Sequence, residues 1–447
     1  MSEFDSVVVT GMAPVCCMGI GTDAFWTRLL EGQSGIHYFP EGEASDSSPC
    51  RDSQGAERIP AAPIAGKISD FSAKEYVQPR KNIKIMSRDV QLGLAAGALA
   101  IKQAAGEDRA PLSEQLSPER VGIDLGTAFI PSTVEDMADT CIKGMAGGTD
   151  AQSKAERLKK QWGDSFMDNM FPLWMLKYLP NMSACHIGIA NDLQGPSNTQ
   201  VLGDVGALVA AMEGIRCIQR DAADAMVVGG VGNFIDSFNW SRYNWLEKTA
   251  NLSDPEGACR PFDALRDGLA AAEGAGCMVL EAEQSAKKRG AKILAKVRAW
   301  ASCSEGTHKG YKITGKAIRN CLNLVLQNAG IKPEELSHIN ANGWGTKEED
   351  AIEAQAIAAI LPGVPVVALK GVCGYAGSGS AAVEMIATIK SLETGILPAA
   401  RNYSSPDSQC PINIVYGQPE TSSKRFALTL TFDKNGSAAA MIFESAR

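Results

Sequence analysis

Short β-branched runs alternate with alanine-rich stretches of helical length along the whole chain, and the alternation occurs twice. In the first half "SVVVTGM" opens near residue 6, the helical stretch "SRDVQLGLAAGALAIKQAAG" precedes "VGIDLGTA", and a helix starting near Asp204 precedes "AMVVGGV". The second half repeats the rhythm with "AKILAKVRAW", "ITGKAIRNCLNLVLQNAG", "SHINANGWGT", "VPVVALKG" and "FALTLTF". Alternation of this kind predicts an α/β fold in which helices are layered on sheets. At 447 residues, 45% of them hydrophobic, the chain can bury one large core or two fused ones. Two similar halves, 1–275 and 276–447, dividing near Gly274–Gly276 and forming one integrated unit, are expected.

Two polar stretches interrupt the rhythm. One, about 41–60, reads "EGEASDSSPCRDSQGAERIP"; the other lies within about 130–180 and contains the partly helical "GMAGGTDAQSKAERLKKQWGD". Both are expected to be surface insertions that cap the core.

Composition excludes several functions. A net charge of −8, with no basic run longer than "AKKRGAK", argues against a nucleic-acid partner or an anionic membrane surface. No apolar run reaches bilayer length and "MSEFDSVVVTGM" has no basic-then-apolar pattern, so a cytoplasmic protein is expected. The 12 cysteines are scattered without zinc-ligand spacing, and there are only 4 histidines. Reduced thiols, no metal and no cofactor are expected.

The stretch "TQVLGDVGALVAAM", 199–212, reads as a strand, a Gly-Asp turn and a helix. Asp204 at that turn is expected to cap the helix, its carboxylate accepting from the first free N–H groups and held ionised, at or below ~3.9, by the helix dipole. A nucleophile or base at the same turn is the competing reading.

Seven further segments carry a family resemblance: "SVVVTGMAPVCCMGIGTDAFWTRLLEGQSGI", "NMSACHIGIANDLQGPSNT", "DAMVVGG", "CRPFDALRDGLAAAEGAGCMVLEAEQSAKKRGAKILAKV", "INANGWGTKEEDAIEAQAI", "ALKGVCGYAGSGSAAVE" and "LETGILPAARNY". In this order they resemble β-ketoacyl synthases, the condensing enzymes of fatty-acid and polyketide assembly. The resemblance implies a thiolase fold: two similar βαβαβ-type halves in a five-layered α-β-α-β-α core. It also implies a nucleophilic cysteine at the turn after the "GP" strand and two histidines that decarboxylate the malonyl extender.

Aligned on those motifs, the cysteine position holds Asp204, the first histidine position Asn342 and the second Tyr375. The family's closing "GFGGTN"-like loop, which supplies a gatekeeping phenylalanine and an oxyanion-hole N–H, reads here as Asp433, Lys434, Asn435 and Gly436. The surrounding shell keeps its place: Lys370 and Glu384 at the spacing of a buried ion pair, Asn340, Gly343, Gly345, Thr346 and Asp350 after the first-histidine strand, and Glu273 in "AEGAG".

Neither Asn342 nor Tyr375 replaces imidazole as a base near neutral pH, and both are expected to be structural or pocket-lining. Cys185 beside His186 imitates a dyad, but neighbours on a helix point apart, so packing is expected for both. Cys373 lies nearer the site and is a weaker candidate nucleophile; His338 is expected to pack on its strand and His308 to lie in a loop.

Loss of the cysteine and both histidines within a retained shell resembles the chain-length factors, the non-catalytic branch of the family. The resemblance implies a catalytically silent subunit that forms a heterodimer with an active ketosynthase and shapes the tunnel for the growing chain, with acyl carrier protein engaged through that partner. The segment "SNTQVL" is the expected interface. Two alternatives stay open: a malonyl decarboxylase or acyl transferase with an altered site, and a homodimeric acyl-binding protein.

Overall fold

Ten consecutive buried residues make Val7–Cys16 the first strand, β1, and strands covered on both faces recur along the chain. A computed structural model describes residues 6–38, 50–51, 57–58, 64–128, 130, 134–235, 239, 256–306 and 313–447. In chain order the further elements of the core are α1 (Arg88–Ala105), β2 (Val121–Thr127), α2 (Met182–Asn191), β3 (Ser197–Val201), α3 (Gly206–Gln219), β4 (Ala225–Asn233) and β5 (Ala271–Ala282). They are followed by β6 (Ala295–Ser304), α4 (Lys316–Ala329), β7 (Leu336–Asn340), α5 (Lys347–Ile360), β8 (Pro365–Val367), α6 (Ser378–Thr394), β9 (Asn413–Ile414), β10 (Phe426–Phe432) and β11 (Ser437–Ser445).

The strands run in the order β9-β8-β7-β10-β11-β6-β1-β5-β4-β2-β3. β3, β2 and β4 are mutually parallel; β5 pairs antiparallel with β4, and β1 pairs antiparallel with β5, so β1 runs in the direction of β4. The second half repeats this connectivity and these directions, with β8, β7 and β10 parallel, β11 antiparallel to β10, and β6 antiparallel to β11. Along the sheet the halves join where Val8 and Val9 of β1 meet Lys296 and Ala295 of β6.

Three apolar clusters fill the spaces between five layers. α1 and α2 cover the outer face of β1, β2, β4 and β5 through residues such as Leu94, Ala100, Ile123, Ile187 and Val227. α4 and α5 cover the outer face of the second half through Leu322, Val325, Ile357, Leu428 and Ile442. Between the two half-sheets lie α3 and α6, packed through Leu208, Met212, Met385, Ile389, Val228 and Met441. The chain is therefore a thiolase-fold α-β-α-β-α core, as the rhythm of the sequence and the resemblance predict.

Local signals explain the element ends. Ser87 caps α1, its hydroxyl accepting from the Val90 N–H at 3.4 Å. Gly315 and Gly330, both left-handed, bracket α4, whose buried Ile318, Cys321, Leu322, Val325 and Ala329 follow helical spacing.

The division suggested near Gly274–Gly276 falls inside the unbroken strand β5. The glycines there serve packing instead: a Cβ on Gly276 would stand 2.9 Å from the Cβ of Ala382 on α6. Of the first insertion, only 50–51 and 57–58 are among the described residues, and His308 lies outside them. In the second, Ala151–Asn169 forms a helix longer than the sequence suggests, started by Asp150, whose carboxylate accepts from Ser153 N–H at 2.8 Å. Among the described residues no helix is long and apolar enough to cross a membrane.

Candidate functional site

The N-termini of the two central helices face one another, and the turns before them carry the chemistry. α3 can reach β2 because Gly126 has no side chain; a Cβ there would stand 2.2 Å from the Ala207 nitrogen. Ser378 at the start of α6 donates its hydroxyl to the carbonyl of Gly203, tying the two turns together.

Asp204 does not cap α3. The N-cap position is Val205, with no side-chain bond to the helix N–H groups. Gly203, at φ +56°, turns the chain into a single 3₁₀ turn, Gly203–Val205, and the Asp204 carboxyl instead accepts from the Tyr375 hydroxyl at 2.6 Å. Nor is its pKa depressed: burial pushes it up to about 7 against the Tyr375 bond and the Lys370 charge. Desolvation dominates here, and the carboxyl is bonded to Tyr375 rather than to the first N–H groups of α3.

Asn342 faces away from this pair, into a buried polar knot. Lys370 Nζ donates to its carbonyl at 2.6 Å, to its Oδ1 at 3.0 Å and to Glu384 Oε1 at 2.5 Å. Asn342 Nδ2 reaches the Phe432 carbonyl at 3.4 Å, and the Thr431 hydroxyl bridges back to the Asp204 carbonyl at 3.4 Å. Lys370 and Glu384 thus form the ion pair that the family resemblance implies; burial pushes Glu384 up to about 7 against the pull of Lys370.

The sequence reading missed Glu353, which accepts the N–H groups of Asn342 at 2.7 Å and Gly343 at 2.9 Å. Burial pushes this carboxyl up to about 8. Its three-residue spacing from Asp350 on α5 was the available signal. Asp350 accepts from Phe262 and Gly345 N–H groups at 2.8 and 3.1 Å, and burial raises it to about 7. Thr346 is the N-cap residue of α5, yet its hydroxyl makes no capping bond. Asn340 Nδ2 donates to the Glu384 carbonyl at 3.0 Å, while Glu273 is clasped by Arg88 at 2.7 and 2.8 Å, away from the Asp204 turn.

The loop 433–436 is the turn of the β10–β11 hairpin. Asp433 Oδ1 accepts the Asn435 and Ser437 N–H groups at 2.9 and 3.0 Å, and its carbonyl accepts that of Gly436 at 3.2 Å. These three N–H groups are engaged within the turn. Lys434 lies over Trp344, 5.4 Å from the ring centroid, and pairs with Glu349 at 3.3 Å.

Together these turns border a cavity of about 550 Å³, lined by Asp204, Tyr375, Asp433, Lys434, Asn435 and Asn239 and by apolar Trp344, Phe234, Leu269 and Val201. Trp344, Phe234 and Leu269 carried no signal in the sequence that marked them as walls.

The other candidates lie elsewhere. Cys373 is hydrogen-bonded to Cys16 and buried, which holds its thiol well above the ordinary range. Cys185 is half-buried beside the Asn181 amide at 3.5 Å; His186 is buried and its pKa falls. His338 is buried on β7, and desolvation lowers it to about 3. Among the described residues no three His, Cys, Asp or Glu side chains stand together as a metal site.

Comparison with known proteins places this geometry in context. Residues 4–286 match the family model described as β-ketoacyl synthase, N-terminal domain, and residues 294–404 that described as its C-terminal domain. The chain is 26% identical over 449 residues to 3-oxoacyl-[acyl-carrier-protein] synthase 2 of Synechocystis sp., covering 99% of this chain and 98% of that protein. It is 28% identical over 418 residues to the tetracenomycin polyketide synthase ketoacyl synthase alpha subunit of Streptomyces glaucescens, covering 92% and 90%. Among solved structures, the ishigamide ketosynthase/chain length factor superposes with a TM-score of 0.80 at 21% identity, covering both chains fully.

Proposed function

We propose, from the premise that the chain belongs to the β-ketoacyl synthase family, that it is a subunit without condensing chemistry of its own. It pairs with an active ketosynthase as a chain-length factor does and shapes the space that receives the elongating acyl chain. Acyl carrier protein then reaches the complex through the partner.

The observation that carries this reading is the set of groups at the two facing turns. Condensation needs a thiolate to hold the acyl chain and imidazoles to handle the malonyl carboxylate. Where the family motifs put those groups, this chain has Asp204 bonded to Tyr375 and Asn342 bonded to Lys370. A carboxyl gives only a labile anhydride, and an amide is no base at neutral pH. Closure of the 433–436 turn on Asp433 supports the same reading, since it engages N–H groups where an oxyanion hole is expected.

Pairing is supported by the sheet edge. β3 ends the strand order, and Val201, Leu202 and neighbouring Ile189 of α2 are 50%, 45% and 76% exposed. An edge strand that, among the described residues, has no further strand beside it and is flanked by exposed apolar side chains suits a subunit that continues the sheet.

The purified chain, offered acyl and malonyl carrier proteins, is expected to take up no acyl group and to release neither condensed product nor carbon dioxide. Acyl transfer or condensation by the chain alone would refute the reading, and carbon dioxide release alone would make it a decarboxylase.

A further inference from the structure

We propose that Cys303 and Cys321 are a peroxide-responsive thiol pair that closes to a reversible disulfide between β6 and α4. This goes beyond the pairing role and does not depend on it: four strands separate β6 from the β3 edge.

Strand and helix are clasped on either side of the pair. β6 turns alternate residues toward α4: Ala299 and Ala301 are buried, and Cys303 follows on the same face, packed against the apolar cluster that holds Cys321. Before Cys303, the Cys321 thiol donates to the Ala301 carbonyl at 3.2 Å. After it, the Glu305 carboxylate accepts the N–H groups of Lys316 and Ala317 at the start of α4, at 2.8 and 3.1 Å. Cys303 therefore stands between two fixed contacts with α4, one of them made by Cys321 itself. A helical side chain leans toward the helix N-terminus, which from Cys321 is the direction of Ala317, the Glu305 clasp and hence Cys303. The two side chains are hydrogen-bonded to each other. Across the sheet Cys303 opposes Ala438, and the Glu305 N–H donates to the Gly436 carbonyl at 2.9 Å, so a bridge here anchors the strand that supports the 433–436 turn.

The pair is unequal, and this orders the steps. Cys303 is half-buried and Cys321 fully buried. Burial raises both thiols and holds Cys321 far above the ordinary range. Cys303 is thus the sulfur that ionises first and that a small oxidant reaches. Its thiolate attacks one oxygen of hydrogen peroxide, the O–O bond breaks, and the departing hydroxide takes a proton to leave as water, giving a sulfenic acid on Cys303. The Cys321 sulfur then bonds to the Cys303 sulfur, the S–O bond breaks, and the hydroxide leaves with the Cys321 proton as a second water. Two thiols lose two electrons and one peroxide becomes two waters; excess thiol reverses the bridge.

The test uses the full chain with any partner that copurifies, reduced, freed of reductant, exposed to limiting hydrogen peroxide, blocked with N-ethylmaleimide and digested without reduction. Peptide mass spectrometry is expected to show the Cys303–Cys321 bridge at least about tenfold above any other cysteine link, and dithiothreitol should abolish it. Cys16 and Cys373, also hydrogen-bonded but 3% and 8% exposed, should stay reduced. Cys321→Ser should strand Cys303 as a sulfenic acid that dimedone traps, and Cys303→Ser should leave Cys321 reduced. Oxidation of the half-buried Cys185 while Cys303 and Cys321 both stay free would overturn the proposal, as would dimedone-trapped Cys303 in the wild type with no bridge. A Cys16–Cys373 bridge formed ahead of this one would overturn the role of access.

Discussion

The Tyr375 hydroxyl donates to Asp204 Oδ1 at 2.6 Å, with both side chains buried, and so links the turn before α6 to the turn before α3 across the middle layer. The bond joins the two halves at the positions where the family motifs put the nucleophile and one of its histidines.

Burial of the Asp204 carboxyl gives a pH signature. A carboxyl raised to about 7 in the folded chain holds a proton that the unfolded chain, near 3.8, has already released. Stability therefore falls as pH rises from about 4 through 7, by up to a few kcal/mol for a fully buried group. Asp204→Asn keeps the shape and removes this contribution. Urea midpoints measured from pH 6 to 8 are expected to drop more for the wild type than for the variant; parallel lines would contradict the raised pKa.

Restoring the nucleophile alone should restore nothing. In Asp204→Cys the thiol lacks an imidazole, because Asn342 and Tyr375 remain, and the N–H groups of Asn435, Gly436 and Ser437 stay engaged by Asp433. No acyl-enzyme above background and no condensation are expected in a carrier-protein assay. Robust turnover by this single variant would contradict the account.

Arg266 is the anchor beneath the site. It is 1% exposed and donates to Asp407 at 2.6 Å and to the carbonyls of Thr346, Lys347 and Asp263 at 2.9–3.0 Å. Arg266→Met should destabilise the chain by about 3–5 kcal/mol, since it strips partners from buried acceptors. A shift in thermal or urea midpoint equivalent to under 1 kcal/mol would show that these bonds are dispensable.

Gly126→Ala should be worse tolerated than an alanine at an ordinary strand glycine. Its Cβ would meet the Ala207 nitrogen and the Gly206 carbon at 2.2 Å, both backbone atoms that no rotamer change can move. A loss of about 3 kcal/mol or more, or loss of soluble protein, is expected, at or beyond the upper range for overpacking. Wild-type stability in this variant would mean that α3 does not press on β2 as described.

The layers were legible because strand and helix periodicities are local, whereas the buried pair Lys370–Glu384 was legible only through the family resemblance. The fate of Asp204 was not. Capping is decided by neighbours in sequence, and the sequence showed only those; the Tyr375 hydroxyl that takes the carboxyl lies 171 residues away. The same distance effect hid the cavity walls Trp344, Phe234 and Leu269, which come from three segments. Glycines at 274 and 276 looked like a boundary because glycine marks both turns and close packing, and only the position of α6 separates the two.

The central claim is a silent subunit paired with an active one. The most direct measurement is to purify the tagged chain from its native host under mild conditions, determine the mass of the complex and identify what copurifies. The account predicts a one-to-one complex with a ketosynthase that has a cysteine and two histidines at the motif positions where this chain has Asp204, Asn342 and Tyr375. A homodimer with no such partner would contradict it.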